Sequence, residues 1–188
     1  VLFFAILLGF SRPLIPIQIL WINLVTDGFP ALALGVDPAE EGIMKRKPRD
    51  PEESIFGQGR GRGILETGFL MSVLVLTGFY FFGGSLEHAR TFAFSTLVFV
   101  QLAHTFNCRS EHRSIFDIGF FSNIYLVGAV LLSVGLQLSV VYIPFLQPLF
   151  GTVPLSTSDW GLILVLSSLV IMVGELGKKA GSIPSDSS

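Results

Sequence analysis

The chain has 188 residues, of which 51% are hydrophobic and only 14% charged, and its formal net charge is −2. An ordinary soluble domain carries roughly a quarter charged residues, so the composition argues against a soluble globular fold, and so small a charge argues against nucleic acid as a partner. The single cysteine, Cys108, rules out an internal disulfide.

The apolar residues fall into blocks, and a helix needs roughly 20 residues to cross a hydrocarbon layer of about 30 Å. The first block, Val1 to Phe10, is too short to span and has no basic leader or cleavage pattern around it. It is expected to be the end of a truncated transmembrane helix. After Ser11-Arg12-Pro13 comes the first complete span, about residues 15–35, apolar except for Gln18, Asn23, Thr26 and Asp27. A polar stretch, 36–63, reads as a solvated loop. Further spans are predicted at about 64–82, 91–107, 121–143 and 160–176, and a disordered tail at 181–188. The predicted fold is all-α: a polytopic membrane helix bundle with a partial first helix and five transmembrane helices, in which residues 11–180 form one membrane domain.

Lys and Arg concentrate in loops on the cytoplasmic side of a membrane. The 36–63 loop holds six, residues 109 and 113 add two, and Lys178 and Lys179 two more, whereas the opposite side has only Arg12 and Arg90. The first span is therefore expected to run from outside to inside, with loop 36–63 and the C-terminus cytoplasmic. The 144–159 connection, with three prolines and no basic residue, fits an external loop.

An ionisable side chain deep in the bilayer costs about 2.5–3.5 kcal/mol on insertion scales and by default marks function. Asp27 is the only acid well inside a complete span. On an α-helix, Asn23, Thr26 and Asp27 stand at i, i+3 and i+4, on one face, and offer an amide oxygen, a hydroxyl and a carboxylate. Such hard oxygen donors suit Ca²⁺, which takes roughly 6–8 of them, so other helices must complete the shell. Gly28 and Pro30 follow at once. Pro30 has no N–H for the Thr26 carbonyl and strains that turn, which predicts a break or unwound turn, a device by which transporters free carbonyls for cations. Interhelical hydrogen bonding is the alternative role for Asn23 and Asp27.

In the 91–107 span, Gln101 is expected at a depth similar to Asp27, with His104 and Asn107 extending a polar stripe. Gln101 and His104 read either as helix-to-helix hydrogen-bonding groups or, for Gln101, as a further ion ligand. Gln137 is expected to be packing glue and Glu175 interfacial.

The run from Pro16 to Ala31, PIQILWINLVTDGFPA, resembles the sixth transmembrane helix of type II, calcium-pump-like P-type ATPases, and the loop residues Ile43 to Arg49, IMKRKPR, continue the match. The resemblance implies that the chain is the C-terminal membrane part of such a pump, from the end of helix five through helix ten. It implies that the positions of Asn23, Thr26 and Asp27 bind the transported ion. Sodium/potassium pumps have aspartate where Asn23 stands, and secretory-pathway calcium/manganese pumps typically lack the Thr26 hydroxyl, so the combination favours Ca²⁺ over Na⁺ or Mn²⁺. Two-ion calcium pumps carry a glutamate at the position aligned with Gln101; plasma-membrane-type pumps, read as one-ion pumps, have glutamine. The same resemblance implies partners: the first five transmembrane helices, the lipid bilayer, and a phosphorylation domain contacting loop 36–63. It puts ATP and Mg²⁺ in cytoplasmic domains upstream, because no phosphorylated-aspartate motif or nucleotide domain lies in these residues and none of them is expected to be catalytic. The plasma membrane is the expected location in a prokaryote. The rival reading is a free-standing small membrane channel or scaffold protein, which an upstream Asp-Lys-Thr-Gly motif would dismiss.

Overall fold

A computed structural model describes residues 1–9, 12–38, 60–81, 84–110 and 113–181. Among them there is no strand. In chain order the helices are α1 (Leu2–Leu7), α2 (Pro16–Trp21), a π-helical segment (Ile22–Asp27), α3 (Gly28–Leu34), α4 (Arg60–Phe81), α5 (Leu86–Asn107), α6 (Ile115–Ile118), α7 (Ile124–Tyr142), α8 (Gln147–Phe150) and α9 (Thr157–Gly181). From α2 to α3 the chain is one unbroken helical run, Pro16–Leu34. The expected membrane helix bundle is what forms. Most of loop 36–63 and residues 182–188 of the tail lie outside the described residues, as do the contacts expected of that loop.

Local chemistry sets where the helices start. Pro16 occupies the first turn of α2, where its missing N–H costs nothing. Ser85 accepts from the His88 N–H at the start of α5, and Asn123 from the Leu126 N–H at the start of α7. At the start of α9, the Ser156 N–H donates to the Asp159 carboxylate while the Asp159 N–H donates to the Ser156 hydroxyl, a reciprocal cap.

Among the described residues, four helical runs are long and apolar enough to cross a membrane: Pro16–Leu34, Gly61–Phe81, Ile124–Tyr142 and Thr157–Lys178. The remaining expected span, 91–107, falls in α5, which is 22 residues long but more polar than the others. The reason lies in its position. α5 packs against α4, α7, α9 and the π segment, and Phe92, Phe94, Val98 and Val100 are fully buried along it. A helix enclosed by helices meets little lipid, so its polar residues need only satisfy themselves. The Thr91, Thr96 and Thr105 hydroxyls do so by donating to carbonyls one turn back, at 2.8–2.9 Å. The outer helices instead expose Leu32, Leu131 and Leu164 on their far faces, as membrane-facing surfaces do.

The two ends of the bundle carry different polar clusters. Near the start of α5, Arg90 donates to the Arg12 carbonyl at 2.9 Å and His88 meets Asp159 at 3.1 Å. Just past the end of α5, Arg109 binds Asp37. At that end Glu175, 7% exposed, accepts from the Ile115 N–H at 3.1 Å, from the Ser114 hydroxyl and from Lys178. Glu175, expected to be interfacial, is therefore a buried acceptor that fastens the 113–118 loop to α9.

Candidate ion site

The helical run that carries Asn23, Thr26 and Asp27 is held from above. Gln18 is fully buried; its side-chain amide donates to the Phe150 carbonyl at 3.0 Å and its oxygen accepts from the Ile15 N–H at 3.2 Å. One turn on, the Trp21 ring N–H donates to Gln137 at 3.2 Å, and Gln137 donates in turn to the Ser95 hydroxyl at 3.2 Å. Gln137 is thus the packing glue expected of it: it ties α7 to both α2 and α5.

Immediately below, residues 22–27 form a π turn. The expected break is therefore a widening, with helical dihedrals kept through Gly28. A π turn closes its hydrogen bonds from i to i+5 and takes more residues than the roughly 3.6 of an α-turn. The residue four positions on consequently stays near the same face, while the residue three positions on falls short of it. The side chains follow this rule. Asn23 and Asp27 are both exposed, and Thr26 is turned inward, 1% exposed. The single three-residue face expected of an α-helix is divided into an outward pair and an inward hydroxyl.

The inward Thr26 hydroxyl oxygen has no hydrogen-bond partner. The backbone around it is also modified. Pro30, buried, supplies no N–H to carbonyls upstream, and the Ser133 hydroxyl of α7 donates to the Val25 carbonyl at 3.1 Å. Ser133 is a member of this region that no sequence signal singled out, because an isolated serine in an apolar span looks like packing.

Gln101 lies on the facing helix. Ile22 packs in one cluster with Val98 and Leu102 of α5, which sets the turn bearing Gln101 beside the π segment. No hydrogen bond joins Gln101 to Asn23, Thr26 or Asp27, and its side-chain oxygen is buried without a partner, as is Nδ1 of His104. Asn107, lowest in the stripe, donates to the Val170 carbonyl of α9 at 3.0 Å. Of the stripe, then, Asn107 makes the interhelical bond through its side-chain N–H, and the Gln101 oxygen, His104 Nδ1 and the Asn107 oxygen are buried polar atoms without a partner.

No group of three or more His, Cys, Asp or Glu side chains gathers among the described residues. A cation bound here would meet one carboxylate, an amide oxygen, and whatever hydroxyl and carbonyl oxygens the widened turn presents. That set is hard and weakly charged, and incomplete for an ion that prefers roughly 6–8 oxygens.

A family model described as cation transporting ATPase, C-terminus, matches residues 11–180. A calcium-transporting ATPase of Bacillus subtilis is 48% identical over 173 residues, which cover 90% of this chain and 19% of that protein. Calcium-transporting ATPase 1 of Bacillus cereus is 43% identical over 198 residues, 95% of this chain and 22% of that protein. The mouse calcium-transporting ATPase type 2C member 2 is 38% identical over 175 residues, 88% of this chain and 18% of that protein. The chain spans about a fifth of the length of these relatives.

Proposed function

Because the chain belongs to the C-terminal domain family of cation-transporting ATPases, we propose that it is the membrane-embedded part of an ATP-driven Ca²⁺ pump and supplies part of the ion site. The observation that carries the reading is the π turn bearing the only mid-span carboxylate, with Asn23 and Asp27 both exposed on it. Asp27 supplies charge and Asn23 an amide oxygen on the outward side, and the Thr26 hydroxyl is an oxygen donor on the inward side of the same turn. ATP and Mg²⁺ act in cytoplasmic domains outside these residues, loop 36–63 faces those domains, and helices outside this chain bring the remaining ligands. The relatives' names, each a calcium-transporting ATPase, support Ca²⁺ as the cargo.

The test is phosphorylation of the full-length pump from ATP as a function of Ca²⁺. Asp27→Asn is expected to abolish Ca²⁺-dependent phosphorylation while leaving phosphorylation from inorganic phosphate, which needs no Ca²⁺. A mutant that kept normal Ca²⁺ dependence would remove Asp27 from the ligand set.

The stoichiometry follows from charge. A second divalent ion near Gln101 would have an amide where two-ion pumps have a carboxylate, and uncompensated charge in a low-dielectric site is costly. One Ca²⁺ per phosphorylation site is expected in equilibrium binding, and two cooperative ions would refute the assignment of Gln101 to a vacated site.

A further inference from the structure

Below the π turn, the chain is gripped a second time. α3 ends at Leu34, and the N–H groups of Gly35, Val36 and Asp37 still bond back to Ala31, Ala33 and Leu34 at 3.1–3.4 Å, so Asp37 is a continuation of that helix end. Its carboxylate is held by Arg109, Nε to Oδ2 and Nη2 to Oδ1, both at 2.9 Å. The same guanidinium donates from Nη1 to the Gly119 carbonyl at 2.8 Å and from Nη2 to the Ser122 hydroxyl at 2.7 Å. The Arg109 side chain is only 2% exposed and that of Asp37 15%. One residue past Ser122, Asn123 donates to the Ala33 carbonyl at 3.0 Å. Arg109 and Asn123 therefore clasp the end of α3 at two points.

We propose that Asp37 and Arg109 are positioning residues for the ion site: the clasp holds α3 in the rotation that keeps the Ile22–Asp27 turn in its π form. A buried ion pair contributes little net stability against an apolar pair, but its directional bonds specify register. Here register matters. The π turn lies between an upper anchor at Gln18 and Trp21 and this lower one, ten residues or about 15 Å beyond Asp27 along a helix. Relaxing the turn to α geometry would rotate and shift everything after it, α3 and Asp37 included. An arginine fork bound at four points opposes that rotation, whereas a greasy contact would slide. With the clasp closed, Asn23 and Asp27 stay paired on one face. With it open, Thr26 swings toward that face, and Asp27 turns and shifts along the axis relative to Asn23 and to the upper anchor, so the two ligands lose the spacing that the π form gives them.

The inference rests on the reading of Asn23 and Asp27 as ligands, and the experiment separates the two. In the full-length pump, Asp37→Asn and Arg109→Gln are expected to raise the Ca²⁺ concentration for half-maximal phosphorylation by at least about tenfold, the range seen when partners that orient metal ligands are lost. Maximal phosphorylation from ATP at saturating Ca²⁺, and phosphorylation from inorganic phosphate without Ca²⁺, are expected to stay within error of the parent. The double variant should be no worse than the worse single one, since each change opens the same clasp. Arg109→Lys keeps the charge and loses the fork, and it should shift the Ca²⁺ dependence as well. It decides the matter alone if the neutral variants fail to fold. Unshifted Ca²⁺ dependence in Arg109→Lys, or in folded Asp37→Asn, overturns the clasp. If Asp27→Asn also keeps its Ca²⁺ dependence, the ligand reading falls; if Asp27→Asn loses it and the clasp variants do not, only the clasp falls.

Discussion

Gln137 is the side chain whose removal should cost the bundle most per atom. It is fully buried, accepts from the Trp21 ring N–H and donates to the Ser95 hydroxyl. Replacing it with leucine puts an apolar side chain in its place and deletes both bonds. Interhelical hydrogen bonds in membrane proteins average about 0.6 kcal/mol each, so the two bonds together set a floor of about 1 kcal/mol. The two abandoned partners then differ. Ser95 can turn its hydroxyl to the carbonyl one turn back, as Thr91 and Thr96 already do. The Trp21 N–H, half-buried, has no such recourse, and an orphaned donor costs up to about 1–3 kcal/mol where it is buried. Gln137→Leu should therefore destabilise the full-length pump by between about 1 and 3 kcal/mol, most of it charged to Trp21. Trp21→Phe removes the orphan while keeping an aromatic ring against Phe150, which now lies edge-on at 4.9 Å. In the Gln137→Leu background it should recover part of the loss, whereas in the parent it should cost stability by stranding the Gln137 oxygen. The assay is equilibrium unfolding in mixed micelles titrated with a denaturing detergent, run as a double-mutant cycle with an expected coupling of about 1 kcal/mol. Additive effects, or a Gln137→Leu protein as stable as the parent, would refute the reasoning.

Two further outcomes concern the backbone. A Cβ at Gly78 would lie 2.5 Å from Cε1 of Phe92, a fully buried ring, so Gly78→Ala should push α4 from α5 and cost about 1–3 kcal/mol; Phe92→Leu should restore part of it in the same unfolding assay, and an unchanged midpoint would show that the two helices part freely. Pro30→Ala returns an N–H below the π turn, where it can capture an upstream carbonyl. It should lower the apparent Ca²⁺ affinity of the full-length pump, and an unaltered Ca²⁺ curve for phosphorylation would mean that the widened turn does not depend on the missing donor.

What could be read from the residues, and what could not, divides along a physical line. Helices announce themselves through apolar length, and even α5, too polar to stand out by hydropathy, is legible as a span because its apolar residues outnumber its threonines and serines. The candidate ligands are legible because a carboxylate at mid-span is costly wherever it points. The π turn is not: α and π geometry use the same residues and differ in which carbonyl each N–H reaches, so Gly28 and Pro30 forecast a disturbance without its form. That is why Thr26 was expected on the face of Asn23 and Asp27 and is found inside. Asp37 and Arg109 were each legible only as loop charges, because they stand 72 residues apart and nothing local to either announces the other. The role of Glu175 in fastening this end was not legible for the same reason, its partners Ser114 and Ile115 lying 61 and 60 residues upstream.

The outward face of the ion-site run bears on what must cover it. Leu20 and Leu24 are 61% and 65% exposed, and Asn23 and Asp27 share their side of the run. Leucines alone would suit lipid, but a carboxylate facing lipid there would cost about 2.5–3.5 kcal/mol with nothing to offset it. Against a helix bearing its own oxygen donors, the same stripe makes sense twice over: the leucines pack, and Asn23 and Asp27 meet the groups that complete the ion's shell. The polar half of the stripe also coincides with the π turn, where the backbone itself offers carbonyls, while the apolar half reaches into ordinary α-helix at Leu20. On the proposed reading, the stripe is an interface within the pump, and Ca²⁺ would bind where it closes.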